Sequence, residues 1–136
     1  MKLVIDTNRI IAALITNSAS RKIIKNIDYQ FIAPDYSLEE IRKYKDEICK
    51  KSELDEEEFA VLLDLIFNNI KIISKLDYID FIAEAEELIK IRDIKDAPFL
   101  ALAIAEKADE IWSEDKDFLV QNRIKIYTTE DLLISF

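Results

Sequence analysis

The sequence predicts an α/β fold: a three-layer α/β/α sandwich with a mostly parallel central sheet. Three observations predict it. Short apolar runs alternate with amphipathic segments of helical period, several of those runs end in an acid followed at once by a helix start, and half of the 136 residues are apolar, enough to fill one core. A single domain spanning residues 1–136 is expected, with no linker, repeat or low-complexity tract.

The elements follow in order. Lys2 to Ile5 is a short apolar run bounded by Asp6-Thr7-Asn8, a buried parallel strand leading into a helix from about Thr7 to Ile15. Ser20 to Ile27 reads as a second short helix, and Gln30 to Ala33 as a strand stopped by Pro34. Ser37 to Lys50 carries Leu38, Ile41, Tyr44 and Ile48 on one helical face, and Asp55 to Asn68 carries Phe59, Leu62, Leu63 and Ile66 on another. Lys71 to Ser74 is a third strand, and Ile79 to Lys90 a helix with Ile82, Ala85, Glu86 and Ile89 at helical spacing. Asp96-Ala97-Pro98 opens an Ala-rich helix running towards Ala108, since proline is tolerated in a first turn where its missing N–H has no partner. Glu110 to Trp112 and Lys125 to Tyr127 are the last strands, and Thr129 to Phe136 the last helix.

Composition removes several kinds of chemistry. With no His and one cysteine, Cys49, the chain holds neither a Cys/His zinc site nor a Ser-His-Asp triad nor an internal disulfide. With no Gly it lacks the dinucleotide fingerprint and the P-loop, both of which bring backbone close to phosphate through glycine. The opening Met-Lys-Leu-Val-Ile-Asp is no signal peptide and no run of 18 apolar residues occurs, so a cytoplasmic protein without a membrane span is expected. The net charge of −9 argues against nonspecific duplex binding; the basic groups at Arg21, Lys22 and Lys25 and at Arg42, Lys43 and Lys45 read as solvated helix faces.

What remains is chemistry on carboxylates, hydroxyls, lysines or a metal, and the carboxylates carry the pattern. Asp6, Glu40, Asp96 and Asp115 all fall at strand ends or helix starts, where an open parallel sheet gathers its ligand-binding loops. Two carboxylates about 4 Å apart repel by roughly 4 kcal/mol at an effective dielectric near 20, so such a cluster calls for a cation. An all-oxygen set suits Mg²⁺ or Mn²⁺ over zinc or copper, and the chemistry those ions serve is phosphoryl transfer. Each acid also has a plainer reading. Ser37 to Glu40 spells a capping box, Asp6 and Asp96 stand where N-caps stand, and Asp115 is a turn acid. Thr128 to Asp131 reads as a helix cap, and Trp112 and Phe118 as core.

Four segments in order, Val4-Ile5-Asp6-Thr7-Asn8, Ser37-Leu38-Glu39-Glu40-Ile41, Asp96 to Ala103 and Ile111 to Phe118, resemble the PIN-domain nucleases over nearly the whole chain. The resemblance implies an α/β/α domain whose acidic pocket binds Mg²⁺ or Mn²⁺ and cleaves single-stranded RNA. Position by position, Asp6, Glu40, Asp96 and Asp115 match the metal-site acids, Ser113 the hydroxyl residue before the last of them, and Asp117 an extra acid found two positions on. Asn8 and Ser113 would position ligands or the scissile phosphate, and Arg9 and Lys116 would steer the RNA backbone. Small members are commonly toxins held inactive by an antitoxin protein, often as homodimers; a housekeeping RNA-processing nuclease and a non-catalytic PIN-like binding module are the other readings. The sequence departs from the pattern in Ser at 113 where Thr is commoner, in Arg9 after Asp-Thr-Asn, and in Glu39, which competes with Glu40 as the motif acid; Ile41 on the apolar face favours Glu40. A phosphatase of the haloacid-dehalogenase type needs a second Asp where this chain has Asn8.

Overall fold

The computed structural model describes residues 1–16, 19–90 and 93–134. Its centre is β1 (Lys2–Ile5), flanked by β2 (Gln30–Pro34) and, on its other side, β4 (Glu110–Trp112). Beyond these lie β3 (Ile70–Ile73) and β5 (Lys125–Tyr127), and all five strands are parallel. Parallel strands need crossovers, which is why every strand here is followed by helix.

The two-residue period of the strands splits the core in half. Leu3, Ile5, Phe31, Ala33 and Trp112 face one layer, made by α1 (Thr7–Ile15), α2 (Ala19–Ile24), α4 (Lys45–Ser52), α5 (Glu56–Phe67) and α8 (Thr129–Ile134). Val4, Ile32 and Ile111 face the other, made by α6 (Ile82–Ile89) and α7 (Ala97–Ala105). Helix α3 (Tyr36–Lys43) straddles the two: Ile41 packs in the first layer and Tyr36 against the second. Trp112 and Phe118 are fully buried, and each large apolar side chain placed there stabilises by about 1.5–3 kcal/mol. Among the described residues no helix is long and apolar enough to cross a membrane.

Several boundaries differ from expectation. The helix expected over Ser37 to Lys50 is two helices, broken at Tyr44 (φ −101°, ψ 10°), and no Gly or Pro marks the break. Tyr44 consequently turns outward instead of joining Ile41 and Ile48. The first of these helices also starts earlier, at Tyr36, so Ser37 lies inside it, Glu40 sits in its second turn, and the capping box does not form. The helix expected from Ile79 begins with a 3₁₀ turn, Ile79–Phe81, and the Ala-rich helix ends at Ala105. Strand β2 includes Pro34, strand β3 starts a residue early at Ile70, and α2 stops at Ile24. The last helix is described to Ile134; Phe136 lies outside the described residues. One cap forms as read, Thr128 and Asp131 at α8, and a second, not read from the sequence, joins Asp55 and Glu58 reciprocally at α5.

Candidate active site

The strand order reverses at β1, whose neighbours are β2 on one side and β4 on the other. In parallel sheets such a reversal opens a crevice at the carboxyl ends of the two strands. Asp6 and Ser113 are the first residues past those ends. The Asp6 amide donates to the Trp112 carbonyl at 3.1 Å, which continues the β1–β4 pairing one step into the crevice.

A chain of hydrogen bonds runs on from there. The Ser113 hydroxyl donates to Asp6 Oδ2 at 2.7 Å and accepts from the Asp115 amide at 2.9 Å. Asp115 Oδ1 in turn accepts from the Asp117 amide at 2.9 Å, opening the 3₁₀ turn Lys116–Val120. Asp115 is thus a turn residue, as its plainer reading had it, and also a wall of the crevice.

Asp96 enters from the opposite side. A 3₁₀ turn, Ile94–Asp96, is started by the Asp93 carboxylate accepting from the Lys95 amide at 3.0 Å, and it delivers Asp96 to the N-cap position of α7. Its side chain makes no capping bond; Oδ2 is buried without a hydrogen-bond partner. Burial pushes the Asp96 carboxyl up to about 8, with the charge of Asp115 and a hydrogen bond to it next, then the charges of Asp93 and Asp6. Asp93, Asp96 and Asp117 each offer an oxygen within 4.8 Å of the others'.

Glu40 completes the pocket from α3. Thr7 Oγ1 lies 2.7 Å from Glu40 Oε1, donating its hydroxyl, and 2.9 Å from Ser37 Oγ. Burial raises the Glu40 carboxyl most; the Thr7 hydroxyl pulls it down, Asp6 pushes it up and Lys95 lowers it. Asp6 is likewise raised by burial, against the Ser113 hydroxyl, with Asp115 adding to the rise and Arg9 opposing it. Glu40 therefore turns inward, whereas Glu39 is exposed.

The four acids singled out by sequence are linked pairwise through their charges: Asp6 feels Asp115, Glu40 feels Asp6, and Asp96 feels both Asp115 and Asp6. The closest oxygen triad among the described residues, however, is Asp93, Asp96 and Asp117, and Asp93 was not among the candidates. Its signal was weak: one more acid in the charged stretch Asp93-Ile94-Lys95-Asp96. Thr7 was also passed over, although it sits inside Asp6-Thr7-Asn8. Asn8 is exposed at the mouth. Arg9 reaches towards Glu114, Nη1 to Oε1 at 4.0 Å, and Lys116 is exposed on the 3₁₀ turn.

The sequence model of the PIN domain matches residues 4–136. The chain belongs to the PIN-domain family. Its PIN fold is similar to that of VapBC2 from Rickettsia felis, a crystal structure bound to a DNA fragment from their promoter, at 17% identity and a TM-score of 0.72 over 94% of this chain and 98% of that one. It is also similar to PAE2754 from Pyrobaculum aerophilum, at 15% identity and a TM-score of 0.70 over 99% of this chain and 88% of that one. No curated protein matches the chain in sequence.

PIN domains are nucleases, in general dependent on a divalent metal, and the donor set here fits such an ion. Every inward-facing ligand is an oxygen, which matches magnesium-class cations. One buried carboxylate oxygen, Asp96 Oδ2, has no protein partner, and buried polar atoms in that state carry a desolvation cost that a cation offsets. Without a cation the crowded charges oppose full ionisation of the cluster, and burial together with Asp115 holds the Asp96 carboxyl well above the usual carboxylate range.

Proposed function

We propose that this PIN domain is a metal-dependent endoribonuclease that cleaves single-stranded RNA, and that it is the toxin of a toxin–antitoxin pair. The observation that carries the reading is the buried, unpartnered Asp96 oxygen in a crevice whose crowded charges oppose full ionisation. Asp6, Glu40, Asp96 and Asp115 would hold Mg²⁺ or Mn²⁺, with Asp117 and Asp93 beside them. Such an ion, when bound, supplies charge neutralisation at the phosphodiester and a nucleophilic water at neutral pH.

The chain's own residues do the rest. Ser113 fixes the orientation of Asp6 by its 2.7 Å hydrogen bond, and Thr7 fixes Glu40 in the same way. Asn8 and Ser113 orient the scissile phosphate, while Arg9 and Lys116 steer the strand towards a molecule that is acidic overall. Family membership supports the nuclease reading, and the likeness to VapBC2 supports the toxin role and an antitoxin partner; a homodimer is part of the same proposal.

The test uses purified protein with single-stranded RNA and Mg²⁺ or Mn²⁺. Native protein cleaves; Asp6→Asn protein, folded by circular dichroism, does not. Equal cleavage by the two overturns the mechanism. For the toxin role, expression of the native chain arrests growth of a bacterial host, the Asp6→Asn chain does not, and a small antitoxin gene lies just upstream.

A further inference from the structure

A groove leads away from the acids on the far side of Glu40. It runs between α1 and α4, ends at Lys95 on the Ile94–Asp96 turn, and encloses about 310 Å³, within the size range of small-ligand pockets. Its apolar surface is Ile11, Ile15 and Ile48, and Tyr44 stands beside them, 37% exposed because the break between α3 and α4 turns it outward. Lysines supply the positive charge. Lys43 Nζ lies 5.5 Å from the Tyr44 ring centroid, Lys51 is held by Glu47 at 2.9 Å, and Lys95 is exposed and makes no ion pair among the described residues.

We propose that this groove seats the nucleotide adjoining the scissile phosphate, its base against Tyr44 and the isoleucines and its own phosphate on Lys95. The assignment rests on the single-strand RNA reading of the acidic crevice. Stacking on an aromatic face beside a cation is how proteins hold single-stranded bases without reading their sequence. Charge selects this groove over the hollow on the other side of α3, where Asp35, Glu39 and Glu86 face Lys75 alone. Three acids there repel a phosphate. Here Glu40 belongs to the metal-site acids and Glu47 is already paired, which leaves Lys95 for the substrate.

The experiment takes the full chain with Mn²⁺ and a short single-stranded oligoribonucleotide. Lys95→Ala raises KM about tenfold, with most of the loss in KM and not in kcat, and lowers the slope of log KM against log salt by about 0.7, the share of one phosphate contact on a single strand. Lys95→Arg restores both, and Tyr44→Ala raises KM without changing the salt slope. A 4-thiouridine placed next to the cleavage site crosslinks into the groove of Asp6→Asn protein, at or beside Tyr44. Unchanged KM and salt slope in Lys95→Ala, or crosslinks that map elsewhere, overturn the groove even when cleavage is intact, and would leave it to a protein segment. Absence of cleavage by native protein, with the groove crosslink present and weakened by Lys95→Glu, overturns the nuclease reading and sustains the groove.

Discussion

The Ser113 hydroxyl donates to Asp6 Oδ2 at 2.7 Å across 107 positions of sequence. It joins the end of β1 to the end of β4, and both groups are buried. Ser113→Ala removes the donor and frees the Asp6 carboxylate to rotate. Partners of ligand side chains of this kind are worth about 10- to 100-fold in metal affinity or activity, so a loss of that size is expected, with Ser113→Thr close to native. Mn²⁺ affinity and RNA cleavage of the three proteins check it.

The raised Asp96 carboxyl gives a pH dependence of definite sign. Its folded value is about 8 against an ordinary carboxylate value near 4, so between those limits the metal-free native state binds more protons than the unfolded one. Stability from this group is therefore greatest on the acid side and declines as pH rises from about 4 to 8. Melting temperatures of chelator-treated protein should fall across that window, and saturating Mg²⁺ should recover most of the loss at pH 8. Asp96→Asn should flatten the slope and remove the response to Mg²⁺.

Three helix ends are built without glycine. Glu53 after α4, Lys90 after α6 and Lys107 beyond α7 adopt left-handed backbone, with φ of 59°, 57° and 52°. A residue with a Cβ pays about 1–2 kcal/mol there, partly offset by the extra freedom glycine has when unfolded. Lys90→Gly and Lys107→Gly should each stabilise by about 0.5–1 kcal/mol in urea titrations, without altering Mn²⁺ affinity.

The N-terminus of α5 rests on a reciprocal cap. Asp55 Oδ1 accepts from the Glu58 amide at 2.8 Å, and Glu58 Oε1 accepts from the Asp55 amide at 3.1 Å. Asp55→Ala should cost about 0.5–2 kcal/mol of unfolding free energy. Catalysis should be unaffected, because α5 lies in the layer away from α7 and Asp96.

These cases show what sequence can carry. Strands were legible because Leu3, Val4 and Ile5, or Phe31, Ile32 and Ala33, must be apolar on both faces of a buried parallel sheet. The position of Asp6 was legible for the same reason, since a carboxylate ending such a strand has no core role, and that of Asp115 because it opens the turn that follows β4. The break at Tyr44 was not, since neither glycine nor proline marks it and the orientation of α4 is set by Ile48 packing into the core. The early start of α3 at Tyr36, which puts Ser37 inside the helix, undid the expected cap on Glu40, and Glu40 is held by Thr7 from another element. Asp93 was hidden because its place beside Asp96 and Asp117 depends on a one-turn helix and not on any periodic pattern.

Calorimetric titration of Mn²⁺ into the chelator-treated native protein and into Asp6→Asn and Asp96→Asn, each confirmed as folded, tests most directly whether remote acids share one ion. Saturable binding by native protein, weakened at least tenfold by either substitution, is the predicted result. Equal binding by all three proteins, or none by the native one, would contradict it.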